Sequence, residues 1–109
     1  MDSSDLALLR QNAGKAASLL RAVGNENRLL VLCLLIGHGE QSVGQLLERL
    51  DLSASALSQH LARMREEGLV DYRRESQTLY YRIADPAVQA LVAALKSIYC
   101  PGEDDDGKA

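Results

Sequence analysis

The stretch Leu52-Ser53-Ala54-Ser55-Ala56-Leu57-Ser58-Gln59-His60-Leu61-Ala62-Arg63-Met64-Arg65-Glu66-Glu67-Gly68-Leu69-Val70 decides the fold. Ser53 suits an N-cap, where its hydroxyl accepts from an otherwise free backbone N–H. Gly68 suits the left-handed position that closes a helix, so residues 54–66 read as helical. Leu57, Leu61 and Met64 fall at i, i+4 and i+7 and form one apolar stripe. The opposite face carries Ser55, Ser58, Gln59, Ala62 and Arg63, and no acidic residue occurs from Ser53 to Arg65. A helix in a major groove must approach base edges closely, which small polar residues allow. Gln and Arg can then contact adenine and guanine edges in bidentate fashion, each good pair giving roughly 1–3 kcal/mol of discrimination. A merely solvated helix face has the same composition, so this helix alone leaves both readings open.

Its neighbours narrow the choice. Upstream, Ser42-Val43-Gly44-Gln45 fits a capping box, serine at the N-cap and glutamine three residues later. It opens a short helix containing Leu46, Leu47 and Leu50, and Asp51-Leu52 makes a tight turn into the quoted helix. Downstream, Val70, Tyr72 and Arg74 alternate with Leu69, Asp71 and Arg73; Leu79, Tyr81 and Ile83 alternate with Thr78, Tyr80 and Arg82. Glu75-Ser76-Gln77 joins these two runs as a hairpin. Two helices across a short turn, followed by a hairpin, describe a winged helix-turn-helix. On that reading Ser53 and Ser55 offer hydroxyl or backbone N–H groups to phosphates at the helix start. Arg73, Arg74 and Gln77 sit where a wing would reach backbone or minor groove. His60 borders the apolar stripe; it is assigned to the DNA face, with packing as the alternative.

Outside this core, Leu6, Leu9, Ala13, Ala16, Ala17, Leu20 and Val23 recur at helical spacing, so residues 5–23 form an amphipathic helix ended by Gly24. Asn25 caps a second helix in which Leu29, Leu30, Leu32, Cys33 and Ile36 leave almost no polar face. It reads as a buried central helix stopped at Gly37 and Gly39. Asp85-Pro86 is an N-cap followed by proline at the first helical position, and the last helix carries Val88, Leu91, Val92, Leu95 and Ile98 before Pro101 stops it. The fold class is therefore mainly α with a β-hairpin wing, in the order α-α-α-α-β-β-α.

The chain's 109 residues make one domain, assigned to residues 1–100, and so small a core is often supplemented by pairing with a second copy. The longest apolar run, Leu29 to Ile36, is too short to span a bilayer, and the opening Met1-Asp2-Ser3-Ser4-Asp5 lacks the basic start of a secretion signal. A cytoplasmic location is expected, where a structural disulfide is rare. The net charge of −3 is carried by the tail, residues 101–109, with Glu103, Asp104, Asp105 and Asp106 against Lys108 alone. That acidic tail has no large apolar residue to bury and is expected to be disordered. The remaining residues sum to neutrality, and Arg63, Arg65, Arg73 and Arg74 concentrate positive charge where the DNA face is expected. No carboxylate pair, nucleophile triad or phosphate loop points to an enzyme.

The quoted segment closely resembles the recognition-helix region of ArsR-type bacterial repressors, and the resemblance runs from about Ala16 through Asn25-Glu26-Asn27-Arg28-Leu29 to Cys100-Pro101. It implies a homodimer paired through its first and last helices, bound to double-stranded operator DNA at an inverted repeat, and released by a ligand, metal or oxidant. The sequence departs from the family's metal sensors. Where arsenic- and cadmium-type members carry Cys-x-Cys, it has Ser42-Val43-Gly44. Of the zinc-type ligands along the last helix only Asp85 has a counterpart, and His38 and His60 lack the partners a three- or four-ligand site requires. No metal site and no resident cofactor are expected.

Cys33 in Leu32-Cys33-Leu34 and Cys100 in Ile98-Tyr99-Cys100-Pro101 resemble the pair of the family's two-cysteine subgroup, the BigR, YgaV and SqrR type. That resemblance implies sensing of persulfides or oxidants by linking the two thiols, and control of sulfide-detoxification genes. The alternative is that Cys33 is a small core residue and Cys100 an idle terminal thiol. For sensing, Cys100 is expected to be the more accessible thiol and Cys33 the buried partner. A direct disulfide needs Cα atoms within about 7 Å, and a polysulfide bridge spans a wider gap. Linking the second and last helices would shift the dimer so that its recognition helices no longer match major grooves about 34–36 Å apart. The rivals are a general thiol-oxidant switch, a haem-responsive repressor and, from another class, a winged-helix protein–protein module.

Overall fold

The computed structural model describes residues 2–100. Its elements are α1 (Ser3–Val23), α2 (Glu26–His38), β1 (Gln41–Ser42), α3 (Val43–Leu47), α4 (Ala54–Glu66), β2 (Val70–Glu75), β3 (Thr78–Ile83) and α5 (Pro86–Tyr99). The expected helices and hairpin are all present, in the expected order. The tail and Pro101, the expected helix stop, lie outside the described residues.

Local chemistry places the boundaries. The Asn25 side chain accepts from the Arg28 N–H, and Asp85 accepts from Ala87 beside Pro86. Ser42 and Gln45 form the reciprocal capping box, with Gln45 N–H donating to Ser42 Oγ at 3.2 Å and Ser42 N–H to Gln45 Oε1 at 2.9 Å. Ser53 Oγ accepts from Ala56 N–H at 3.0 Å, which starts α4 where the sequence predicts. Gly68 closes it at φ 79°: Gly68 N–H donates to Arg65 O and Leu69 N–H to Met64 O. These two bonds satisfy carbonyls that the helix leaves unpaired and turn the chain into β2.

The sheet has three strands, not two. Its order is β1-β3-β2, all antiparallel, with Gln41 opposite Tyr81 and Val70 opposite Ile83. β1 occupies the segment between Gly39 and the capping box. Two residues have no periodicity to display, so only the pairing with β3 reveals it. The hairpin turn is Ser76-Gln77, since Glu75 already pairs with Thr78.

The core is built where α2, α4, α5 and the inner sheet face meet. Leu32, Leu46, Leu57, Leu61, Met64, Val70, Val88 and Val92 are fully buried. The α4 stripe is thus wholly internal, which turns its other side outward. Arg28 ties the helices together, donating to Ala22 O at 3.3 Å and pairing with Glu67 at 3.7 Å.

Two helices are less buried than their composition suggests. On α2 the buried residues are Val31, Leu32 and Leu35, whereas Leu30 is 47% exposed and Leu29, Cys33 and Ile36 are half-buried. Of the α1 stripe only Val23 is buried and Ala17 half-buried, while Leu6, Leu9 and Leu20 stay exposed; Leu19 and Ala22, off the stripe, are the neighbours that pack inward. An apolar pattern reports that a face avoids water, not that the same chain covers it.

Candidate nucleic-acid interface and thiol cleft

α4 presents Ser53, Ser55, Ser58, Gln59 and Arg63 as exposed side chains on the face opposite its buried stripe. His60 is half-buried at the margin of the stripe. The face therefore has the small, polar composition that close approach to base edges requires.

The arginines expected to make it basic divide into two groups. Arg65 is engaged within the fold: its Nε donates to Asp71 at 3.2 Å and its guanidinium lies 4.3 Å from the Tyr72 ring centre. The bond from Arg65, together with the Tyr72 N–H, holds the Asp71 carboxyl below the usual carboxylate range, the backbone bond contributing more. Arg73 is held by Glu40 at 2.7 Å and Glu75 at 2.8 Å, and stacks 4.8 Å from the centre of Tyr80. These carboxylates raise the Arg73 pKa above its already high ordinary value. Arg63 and Arg74 have no ion pair among the described residues. Alternation along β2 puts Arg74 on the opposite sheet face from Arg73, beside Leu79 across the ladder, with exposed Gln77 in the turn.

Glu40 is the acidic member that sequence reasoning missed. It pairs with Arg73 and lies 3.8 Å from Arg82, which also reaches Asp71 at 3.9 Å. Its place follows from β1, which brings residue 40 beside β3. Neutralising it by Glu40→Gln frees two wing cations from one carboxylate. Non-specific DNA affinity is expected to rise about two- to fivefold, with the log K against log salt slope steeper by about one. A salt titration of binding measures both; an unchanged slope would mean that removing Glu40 frees no cation for phosphate, with Glu75 and Asp71 still holding Arg73 and Arg82.

The two cysteines come together. Cys33 on α2 and Cys100 at the end of α5 both line one cleft of about 510 Å³. Leu29, Leu34, Leu50, Val92 and Leu95 supply apolar walls, and His38, Arg49, Lys96 and Tyr99 supply polar groups. Both thiols are free and both are half-buried, so Cys33 is not the fully enclosed partner that the sequence suggests. Burial pushes the Cys33 thiol above its ordinary pKa; nearby Cys100 adds to the rise and Lys96 opposes it. Among the described residues no group of three or more His, Cys, Asp or Glu could hold a metal ion. None of their helices is long and apolar enough to cross a membrane.

Residues 25–72 match the family model described as bacterial regulatory protein, arsR family. The HTH-type transcriptional regulator YgaV of Escherichia coli is 50% identical over 98 residues, covering 90% of this chain and 99% of YgaV. The chain belongs to the ArsR family. Two further relatives have solved structures. Reduced HlyU from Vibrio cholerae superimposes with a TM-score of 0.79 at 48% identity, covering 84% of this chain and 96% of that one. The transcriptional repressor BigR from Xylella fastidiosa gives 0.76 at 35% identity, covering 87% and 93%. Membership makes this chain an ArsR-type DNA-binding transcriptional regulator and not an enzyme, and it sets aside the protein–protein module. It also accounts for the winged-helix architecture, with the quoted helix α4 inside the matched segment.

Proposed function

We propose that this ArsR-type regulator is a homodimeric repressor that holds an inverted-repeat operator and releases it when sulfane sulfur links Cys33 to Cys100. The observation that carries the reading is the shared cleft: two thiols 67 positions apart in sequence line one cavity between α2 and α5. A bridge there couples thiol chemistry to the placement of α5. The resemblance to the two-cysteine subgroup supports the same assignment, as does a close relative whose structure is described as reduced.

A second copy is the proposed cover for the open apolar faces. On α5 Ile98 and Tyr99 are 65% and 79% exposed, and the α1 stripe remains open as well. A symmetric pairing would bury both and set two α4 helices for successive major grooves. Sedimentation equilibrium of the reduced protein checks this, and a monomer at micromolar concentration would contradict it.

The chemistry balances without a further oxidant, because sulfane sulfur is itself reduced. The Cys100 thiolate attacks the outer sulfur of R–S–SH, breaking the S–S bond and releasing R–SH, to leave Cys100–S–SH. Cys33, deprotonated as it attacks, displaces HS⁻ from that group and forms the disulfide. If Cys100 first takes a second sulfur in the same way, attack on the middle sulfur gives the trisulfide and again expels HS⁻. Each bridging sulfur thus consumes one more donor. Burial raises the pKa of the half-buried Cys33 thiol and so disfavours it as initiator, which supports Cys33 as the resolving group and Cys100, at the end of α5, as the nucleophile.

Within the family HlyU is named an activator and BigR a repressor. The reading for this chain is repression of sulfide-detoxification genes from the cytoplasm, relieved on release. It is tested by titrating operator DNA with reduced protein and with protein treated with a persulfide donor. Coupling between sites of this kind typically weakens binding about 5- to 150-fold. Equal affinities before and after complete modification would defeat the proposal.

A further inference from the structure

The thiol cleft carries a charge pattern that the bridging chemistry alone does not require. Of its described lining residues Arg49 and Lys96 are cationic, and none is Asp or Glu. Lys96 stands one helical turn before Cys100, whose N–H donates to the Lys96 carbonyl at 2.7 Å. Arg49 enters from the segment after α3, its Nη1 donating to Gln41 Oε1 at 3.4 Å, and Gln41 is itself buried. Neither cation is paired with a carboxylate among the described residues. Two cations with no carboxylate partner among the described residues, set over apolar walls, form a concave site suited to a small anion.

From this arrangement, and resting on the sulfur-sensing reading, we infer that Lys96 and Arg49 select an anionic sulfane-sulfur donor and steer it to Cys100. The class comprises inorganic polysulfides and carboxylate-bearing organic persulfides, which share negative charge and a transferable sulfur. Attack by a thiolate on an anionic donor brings like charges together, and a cation beside both reduces that repulsion. The thiolate or HS⁻ leaving in each transfer also carries negative charge past the same groups. Lys96 and Arg49 transfer no proton in this scheme; they are positioning residues. Hydrogen peroxide is uncharged and gains nothing from charge recognition, although it gains as much as any reagent from a more reactive thiolate. The ratio of donor rate to peroxide rate therefore separates recognition from thiol activation.

The experiment follows initial rates of Cys100 modification by mass spectrometry in the full chain, with sodium tetrasulfide, glutathione persulfide and hydrogen peroxide. Wild type is compared with Lys96→Gln, Arg49→Gln and Lys96→Arg. The persulfide-to-peroxide and tetrasulfide-to-peroxide ratios are expected to fall about fivefold in each Gln variant and to recover in Lys96→Arg. In wild type, the two sulfur-donor rates should fall with added salt while the peroxide rate holds. A fall confined to one sulfur donor identifies that donor as the one recognised. Ratios unchanged within twofold in both Gln variants would overturn the inference and leave the sensor reading standing. A wild-type protein inert to both sulfur donors would overturn the two together.

Discussion

Replacing Gln59 and Arg63 together by alanine is expected to reduce operator binding to the level of non-specific DNA. Each side chain is exposed on α4, and neither belongs to the buried stripe of Leu57, Leu61 and Met64, so the fold should survive the change. Alanine is also a better helix former than either residue. Each bidentate base contact contributes roughly 1–3 kcal/mol of discrimination, and the proposed homodimer on an inverted repeat would lose every contact twice. The summed loss is comparable with the whole margin of about 4–10 kcal/mol that separates specific from non-specific binding. Competition between operator and random DNA at fixed salt measures the ratio directly. Residual binding should keep its salt dependence, because the phosphate contacts proposed for Ser53, Ser55, Arg74 and Gln77 are untouched. A specificity ratio within threefold of wild type would show that α4 is not the reading helix.

The second large effect is expected from the cysteines, and the two substitutions should differ. Cys100→Ser removes the proposed nucleophile, so a persulfide donor should leave Cys33 unmodified at neutral pH on the time scale of the wild-type reaction. Cys33→Ser keeps the nucleophile and should accumulate Cys100–S–SH without a bridge. Neither variant should release DNA, with affinities within twofold of each other before and after treatment, against the wild-type loss of about 5- to 150-fold. Serine is close in size to cysteine and both positions are only half-buried, so folding is not expected to confound the comparison. Release by Cys33→Ser at the wild-type level would mean that a single persulfide suffices and that the bridge is incidental.

Much of this was legible in the sequence because it is local. Caps at Ser42, Ser53 and Asp85, the left-handed Gly68 and the alternation of Val70 with Tyr72 each act over a few residues, and each was in place in the fold. What escaped depends on distant contacts. β1 exists only through its pairing with β3, and with it comes Glu40, which turns Arg73 from a free wing cation into one held by two carboxylates. The exposure of Leu30 and of the α1 stripe escaped for the same reason, since periodicity does not say which chain covers a face. At the thiol cleft, Lys96 could have been noticed, because it lies four residues before Cys100 on one helix. Arg49 could not, as it reaches the cleft from another segment, whereas His38 shares α2 with Cys33.

Sulfur sensing by Cys33 and Cys100 is read out in the intact mass of the reduced protein after separate exposure to a persulfide donor, oxidised glutathione and hydrogen peroxide, with the linked residues mapped by proteolysis. A Cys33–Cys100 link within one chain is expected after persulfide treatment, a population of it carrying extra sulfur. A link formed only by peroxide, with no extra sulfur under persulfide, would make the protein a general thiol switch. No link under any reagent would contradict the claim and leave an ArsR-type DNA-binding regulator whose inducer acts elsewhere.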